Sequence, residues 1–224
     1  MEWTCFSKKN DNCLSASTSS GDNVCWHVNY LHMNRFFTYK QWLLWRDDPD
    51  LAPYEYYMRV DVDLFLQKKV PYDPFAYMRE RDCVFYTGSS VFETQGCFEG
   101  QKEATLAWAR GAEGARFAPG VYPGNVEALR PDENYWGGWN SGKIGFFTSE
   151  AHLSYADHIN EDGRIYTMRW NDQVHFTQAI ALLSAGNAVC KDPDMYNNYK
   201  KDVPQFVHMH GAGAREEVQK RCAL

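Results

Sequence analysis

From Val28 to Trp45 large apolar residues recur at helical spacing (Leu31, Phe36, Trp42, Trp45), and Asp47-Asp48-Pro49 closes the run, so the pattern predicts one helix. The period then shortens. Tyr56 to Val60 is aromatic and β-branched at its end and runs into Asp61-Val62-Asp63, which predicts a buried strand delivering acids at its C-terminal edge. Asp73-Pro74 opens a short helix through Phe75, Tyr77 and Met78, Cys83 to Thr87 reads as a strand, and Glu99 to Arg110 as a helix of good formers. Gly and Pro then crowd the stretch from Gly111 to Pro131, predicting an irregular surface connection. Lys143 to Phe147 reads as a strand, Ser149 caps a helix to about Ile159, and Asp162-Gly163 turns the chain into a strand from Arg164 to Arg169. Asn171 or Asp172 caps a helix that runs to about Ser184, with Gly186 past its end, and Gln205 to Met209 is a last strand.

This alternation is that of an α/β domain without internal repeats. Residues 5 to 24 lack apolar periodicity and are rich in Ser, Asn and Asp, so residues 1-24 read as a polar, disordered leader and 25-224 as a single domain. Open α/β sheets collect ligands at the carboxyl ends of their strands, which points to the acids after Val60.

Composition narrows the function. A formal net charge of -6, with the basic residues dispersed, gives no footprint for nucleic acid. No run of roughly eighteen apolar residues exists, so we expect no membrane span in this chain, with any anchor lying upstream in a longer form. The cysteines fall at Cys5, Cys13, Cys25, Cys83, Cys97, Cys190 and Cys222, too scattered for a zinc cage but suited to an oxidising lumen where some pair; spacing alone leaves the connectivity open. Aromatic residues are abundant at 16%, including 8 Trp and 14 Tyr, as a Trp-rich core or sugar-stacking surfaces require.

Asp61 and Asp63, spaced i, i+2 where a strand breaks, can turn both carboxylates to one edge as hard oxygen ligands for Mn²⁺ or Mg²⁺. Such a cation would offset the charge of a leaving diphosphate. A phosphohydrolase with an Asp-x-Asp nucleophile is disfavoured, because Leu64-Phe65 follows the pair and the motif does not open the domain.

The segments "HMNRFF", "YEYYMRVDVDLF" and "VPYDPFAYM", together with "FFTSEAHLSYADHINEDGRIYTMRWND", carry a closer likeness. In order and spacing they resemble the "HMCRF", "YYWRVEPDV", "DYDxFxYM" and "FFRSEAYxxYFxYLDxxGGFYYERWGD" segments of the fungal α-1,2-mannosyltransferases of glycosyltransferase family 15. The resemblance implies a GT-A-like mixed sheet flanked by helices, metal-dependent transfer of mannose from GDP-mannose with retention to a glycan or glycoprotein, and a Golgi or other secretory-pathway lumen. In GT-A enzymes the strands holding base and ribose precede the acid pair, and Asp61 comes too early here to leave room for them. We therefore expect an N-terminally truncated chain with an incomplete nucleotide-binding half.

The resemblance also distributes roles. Asp61 and Asp63 fall on the family's acidic metal motif, and Arg59 falls on a matching strand position as a donor-binding candidate. In "WGGWNSGKIGFF", similar to the family's "WSNFEIADLxFF", Asn140 takes the place of a glutamate considered a nucleophile; an amide cannot act as a carboxylate nucleophile. Asn140-Ser141-Gly142 also looks like the Asn-Ser-Gly loop that faces the donor sugar in retaining GT-A enzymes such as the glycogenins, which makes Ser141 and Gly142 donor-side candidates. Asp172-Gln173 resembles those enzymes' Asp-Gln pair, with Asp172 as the catalytic or sugar-binding carboxylate. In "FVHMHG", His208 is the third metal ligand by analogy with related transferases. A noncatalytic, degenerate sugar-binding protein is the alternative that Asn140 and the short N-terminus raise.

Overall fold

The computed structural model describes residues 13–17, 23–62, 64–66, 70, 72–88, 90–93, 98–130, 132–185, 188–191 and 206–208. It opens with an antiparallel hairpin of β1 (Cys13–Ser17) and β2 (Asn23–His27), in which Cys13 lies opposite His27. β1 falls inside the stretch expected as a leader, and there the structure shows strand: cross-strand backbone bonds need no apolar periodicity.

The predicted long helix is present as α1 (Val28–Arg35) and α2 (Gln41–Arg46), joined by a π-helical turn at Phe36–Lys40. It stops at Arg46, where Asp47-Asp48-Pro49 was expected to end it. The wide turn shifts the phase of the side chains, a feature that recurs at functional sites. Trp42, fully buried, donates its indole N–H to the Phe37 carbonyl at 2.8 Å and stacks on Phe147 with centroids 4.5 Å apart.

The expected strand is β3 (Tyr56–Val60). It is not a buried strand, however: it is an edge strand, with Tyr57 buried and Met58 and Val60 exposed. β4 (Leu64–Leu66) follows, then α3 (Pro74–Arg81), whose cap Asp73 accepts from the Phe75 and Ala76 amides at 2.8 and 3.3 Å. Next come β5 (Phe85–Thr87), β6 (Ser90–Phe92) and α4 (Gln101–Arg110). The stretch expected as irregular contains two short helices, α5 (Ala112–Ala115) and α6 (Pro123–Ala128), the second with Pro at its first position, where a missing N–H costs nothing.

After β7 (Glu133–Tyr135), β8 (Trp139–Lys143) ends where a strand was expected to begin, and Ile144 starts the helical turn α7 (Ile144–Phe147). Ile144 and Phe147 are both buried at i, i+3 spacing, which a helical turn satisfies and an alternating strand does not. α8 (Glu150–Asp162) is capped by Ser149, and Gly163, at φ 79°, turns the chain. The strand expected from Arg164 is instead the turn α9 (Arg164–Thr167). α10 (Asp172–Leu183) is capped by Asn171, followed by β9 (Val189–Lys191) and β10 (Phe206–His208). Gly186 lies outside the described residues.

The central sheet is mixed, in the order β3-β8-β5-β9: β8 runs antiparallel to both neighbours, and β9 is parallel to β5. Helices pack against it through a cluster built on Trp42, Phe85, Phe147 and Phe176, while a second cluster of Trp108, Tyr155, Ile159 and Trp170 holds the helices together. Cys83 and Cys190 form a disulfide across β5 and β9, with Cα atoms 5.7 Å apart.

Candidate functional site

Arg59 is the hub. On β3 it points to the same side as Tyr57, and the register sets it opposite Asn140 on β8. One guanidinium nitrogen donates to Asp172 Oδ2, in a very short contact, and the other to Asp61 Oδ1 at 3.2 Å. The guanidinium carbon lies 3.7 Å from the centre of the Phe37 ring, which the π-helical turn presents. Burial works against the charge on Arg59, but the Asp172 and Asp61 carboxylates outweigh it and raise its pKa. Asp172 is almost wholly buried in the first turn of α10, where exposed backbone N–H groups favour a negative charge. A cation thus joins an acid from the end of β3 to an acid from the start of α10, residues 111 positions apart in sequence.

The loop between β7 and β8 ties the same two ends together by backbone. Asp61 N–H donates to the Gly138 carbonyl at 2.8 Å, and Gly137 N–H donates to Gln173 Oε1 at 3.1 Å. Both glycines leave little room for a side chain: a Cβ on Gly137 would lie 3.0 Å from Gln173 Cγ, which would have to give way slightly, and one on Gly138 would lie 2.6 Å from the Trp136 ring, which would have to shift. Asn140, fully buried, donates from Nδ2 to the Gly137 carbonyl at 2.8 Å, while its Oδ1 is buried with no hydrogen-bond partner among the described residues. That acceptor could take one hydroxyl donor.

Two residues expected on the donor side, Ser141 and Gly142, are packed within the sheet. Ser141 is fully buried with its hydroxyl donated to the Tyr57 carbonyl at 2.5 Å, and Gly142 lies under Tyr57 and Phe147, where a Cβ would approach each ring to 2.6 Å.

The residues expected as metal ligands are described only in part. A turn links Asp61 to Leu64, whose N–H donates to the Asp61 carbonyl at 3.0 Å, and the antiparallel pairing of β4 with β10 puts His208 opposite Leu64. The backbone of His208 is therefore close in register to the turn that follows Asp61. Asp63 and the His208 side chain lie outside the described residues. Among the described residues no group of three His, Cys, Asp or Glu side chains could hold a metal ion. Carboxylate and imidazole donors are of the chemical kind that suits Mn²⁺ or Mg²⁺, and of Asp61, Asp63 and His208 the structure describes the side chain of Asp61 alone, which accepts from Arg59.

Sequence reasoning missed the residues behind Asp172. Glu93 accepts from Arg169 at 3.1 Å and from Asn171 at 2.6 Å, and Arg169 donates to the Tyr30 hydroxyl at 2.9 Å. Arg169 is part of the quoted "RWND" segment; Glu93 and Tyr30 carry no local signal of their contacts.

Residues 7–202 match the model of the glycolipid 2-alpha-mannosyltransferase family. The chain is 26% identical over 170 residues to O-glycoside alpha-1,2-mannosyltransferase omh1 of Schizosaccharomyces pombe, covering 70% of this chain and 40% of that protein. It is also 26% identical over 163 residues to glycolipid 2-alpha-mannosyltransferase 1 of Candida albicans, covering 69% and 36%. It thus spans about 40% of the length of the curated relatives it matches. Its fold is similar to core-mannan synthase A of Aspergillus fumigatus in its Mn/GDP form, with a TM-score of 0.61 at 21% identity, over 72% of this chain and 45% of that one. The mannosyltransferase Ktr4p of Saccharomyces cerevisiae in complex with GDP gives a TM-score of 0.59 at 18% identity, over 71% and 42%. With a family match across most of its length and a mixed sheet like that of solved mannosyltransferases, this chain belongs to the glycolipid 2-alpha-mannosyltransferase family, glycosyltransferase family 15.

Proposed function

We propose that this site transfers a hexose, mannose from GDP-mannose, with retention to a mannose-containing glycan or glycoprotein in the Golgi or secretory-pathway lumen. The observation that carries the reading is the Arg59 bridge, which sets Asp61 and Asp172 on either side of one guanidinium. A divalent ion held by Asp61, Asp63 and His208 would supply charge stabilisation at the diphosphate leaving group. Arg59 adds a fixed positive charge beside that position and orients Asp172. Asp172 would face the sugar, accepting its hydroxyls and stabilising positive charge as the anomeric bond lengthens. Asn140 offers its buried Oδ1 to a sugar hydroxyl, and Gln173 holds the Gly137 backbone that Asn140 also binds. The Cys83–Cys190 disulfide supports a lumenal location, since such bonds persist in oxidising compartments.

The relatives' printed names support mannose and glycan or glycolipid acceptors, and the Mn/GDP form of core-mannan synthase A supports the nucleotide and the metal. Incubation with manganese, radiolabelled GDP-mannose and a mannoside should yield labelled product that Asp63→Ala abolishes. Absence of transfer by the longest natural form of the chain would contradict the proposal. A noncatalytic sugar-binding protein is the second reading, favoured by the amide at Asn140; glycan affinity without manganese-dependent nucleotide affinity in calorimetry would select it.

A further inference from the structure

The turn that precedes Asp172 is held from outside the site. Arg169 has left-handed backbone (φ 57°), which a residue other than glycine adopts only against steric resistance. Its side chain is nearly buried and is fixed at both ends of its fork, by Glu93 Oε1 at 3.1 Å and by the Tyr30 hydroxyl at 2.9 Å. Glu93 places its second oxygen 2.6 Å from Asn171 Nδ2. The Asn171 Oδ1, in turn, accepts from the Val174 amide at 3.0 Å and caps α10. One carboxylate at the end of β6 therefore grips the residue that bends the chain and the residue that starts the helix, and Asp172 is the next residue.

We propose that Glu93 is a positioning residue for Asp172: by bridging Arg169 and Asn171 it fixes the first turn of α10 so that the Asp172 carboxylate meets Arg59 and the sugar. The catalytic half of this inference rests on the mannosyl-transfer reading; the structural half does not. Glu93→Gln keeps the size of the side chain but turns one acceptor oxygen into an amide facing a donor from Arg169 or Asn171.

Two readouts on the full chain decide it. In amide hydrogen exchange, Glu93→Gln is expected to speed exchange of the Val174 amide by about tenfold or more while Ile180 and Leu182, later on the same helix, are unchanged. An unchanged Val174, or an equal rise along all of α10, overturns the proposal. In the transfer assay, Glu93→Gln is expected to lower kcat by roughly tenfold to a hundredfold, the usual effect of orienting partners, with donor KM little altered. In an Asp172→Asn background it should have no further effect, because a residue acting through Asp172 is silent once that carboxylate is gone. Equal losses in both backgrounds overturn it. If the unaltered protein transfers no mannose, the transfer reading falls and hydrogen exchange alone decides the role of Glu93.

Discussion

Arg59 and Asp172 are both largely withdrawn from water, with side-chain exposures of 15% and 6%, so the pair is more than a surface contact. Removing one member of a buried pair leaves a charge with no compensation, which typically costs about 3–5 kcal/mol. Arg59→Ala should therefore lower the unfolding free energy by about that amount in urea titrations near pH 7. Arg59→Ala, Asp172→Ala together should lose much less than the sum of the single variants. Additive losses would show that the two groups do not compensate one another. The neighbouring candidates are held by loop and sheet: Asn140 by the Gly137 carbonyl of the β7–β8 loop, Ser141 by the Tyr57 carbonyl of β3, and Gly142 by the lack of room beneath Tyr57 and Phe147.

Between elements, α8 and α10 meet through two fully buried histidines whose Nε2 atoms lie 3.2 Å apart. His152 Nδ1 is 2.6 Å from the Phe147 carbonyl and must donate to it, so its Nε2 accepts, and His175 Nε2 must be the donor. Neither ring gains a proton easily: burial pulls His152 down to about 4, and burial followed by the neighbouring His152 holds His175 well below the ordinary range. The sign follows from these depressions. The unfolded chain binds protons at both rings below about pH 6.5, while the folded chain resists, so stability is complete above that pH and falls as the pH drops toward 4. Each ring contributes a slope of about 1.4 kcal/mol per pH unit well below 6.5. Urea unfolding at pH 7, 6 and 5 should show this loss, and His152→Asn with His175→Phe should flatten it; an unchanged slope would contradict the assignment. Elements were legible from sequence where a cap fixed them, as at Asp73, Ser149 and Asn171, because capping is a contact within one turn. The short apolar runs at 143–147 and 164–169 were not legible, since so few residues fit strand and helical periods equally well until packing chooses. The acids and Asn140 could be named from motifs, and Arg59 from its strand position. The contact of Arg59 with Phe37, and those of Arg169 with Glu93 and Tyr30 and of Asn171 with Glu93, depend on how distant elements are brought together, which no local pattern encodes.

Across the whole molecule, the Cys83–Cys190 disulfide closes a loop with a sequence separation of 107 and pins β9 to β5 at the side of the sheet away from Arg59. Disulfides commonly contribute about 2–4 kcal/mol, so Cys83→Ala with Cys190→Ala should lower stability by about that amount in denaturant titrations. The proposed site should be untouched, so GDP titrations of the double variant and the unaltered protein should agree; a difference in GDP binding with no loss of stability would contradict this division. The chain spans less than half of its structural relatives. Arg59, Asp61 and Asp172 fall within the residues that match the family model, while β10 lies beyond them and pairs with β4 in a separate two-stranded sheet. The most direct measurement is calorimetric titration of GDP into the protein with and without manganese, for the unaltered chain and for Asp61→Ala and Asp172→Asn. Binding is expected to require manganese, to be lost in Asp61→Ala and to be retained in Asp172→Asn; GDP binding equally tight without manganese, or indifferent to Asp61, would overturn the proposed metal-assisted site.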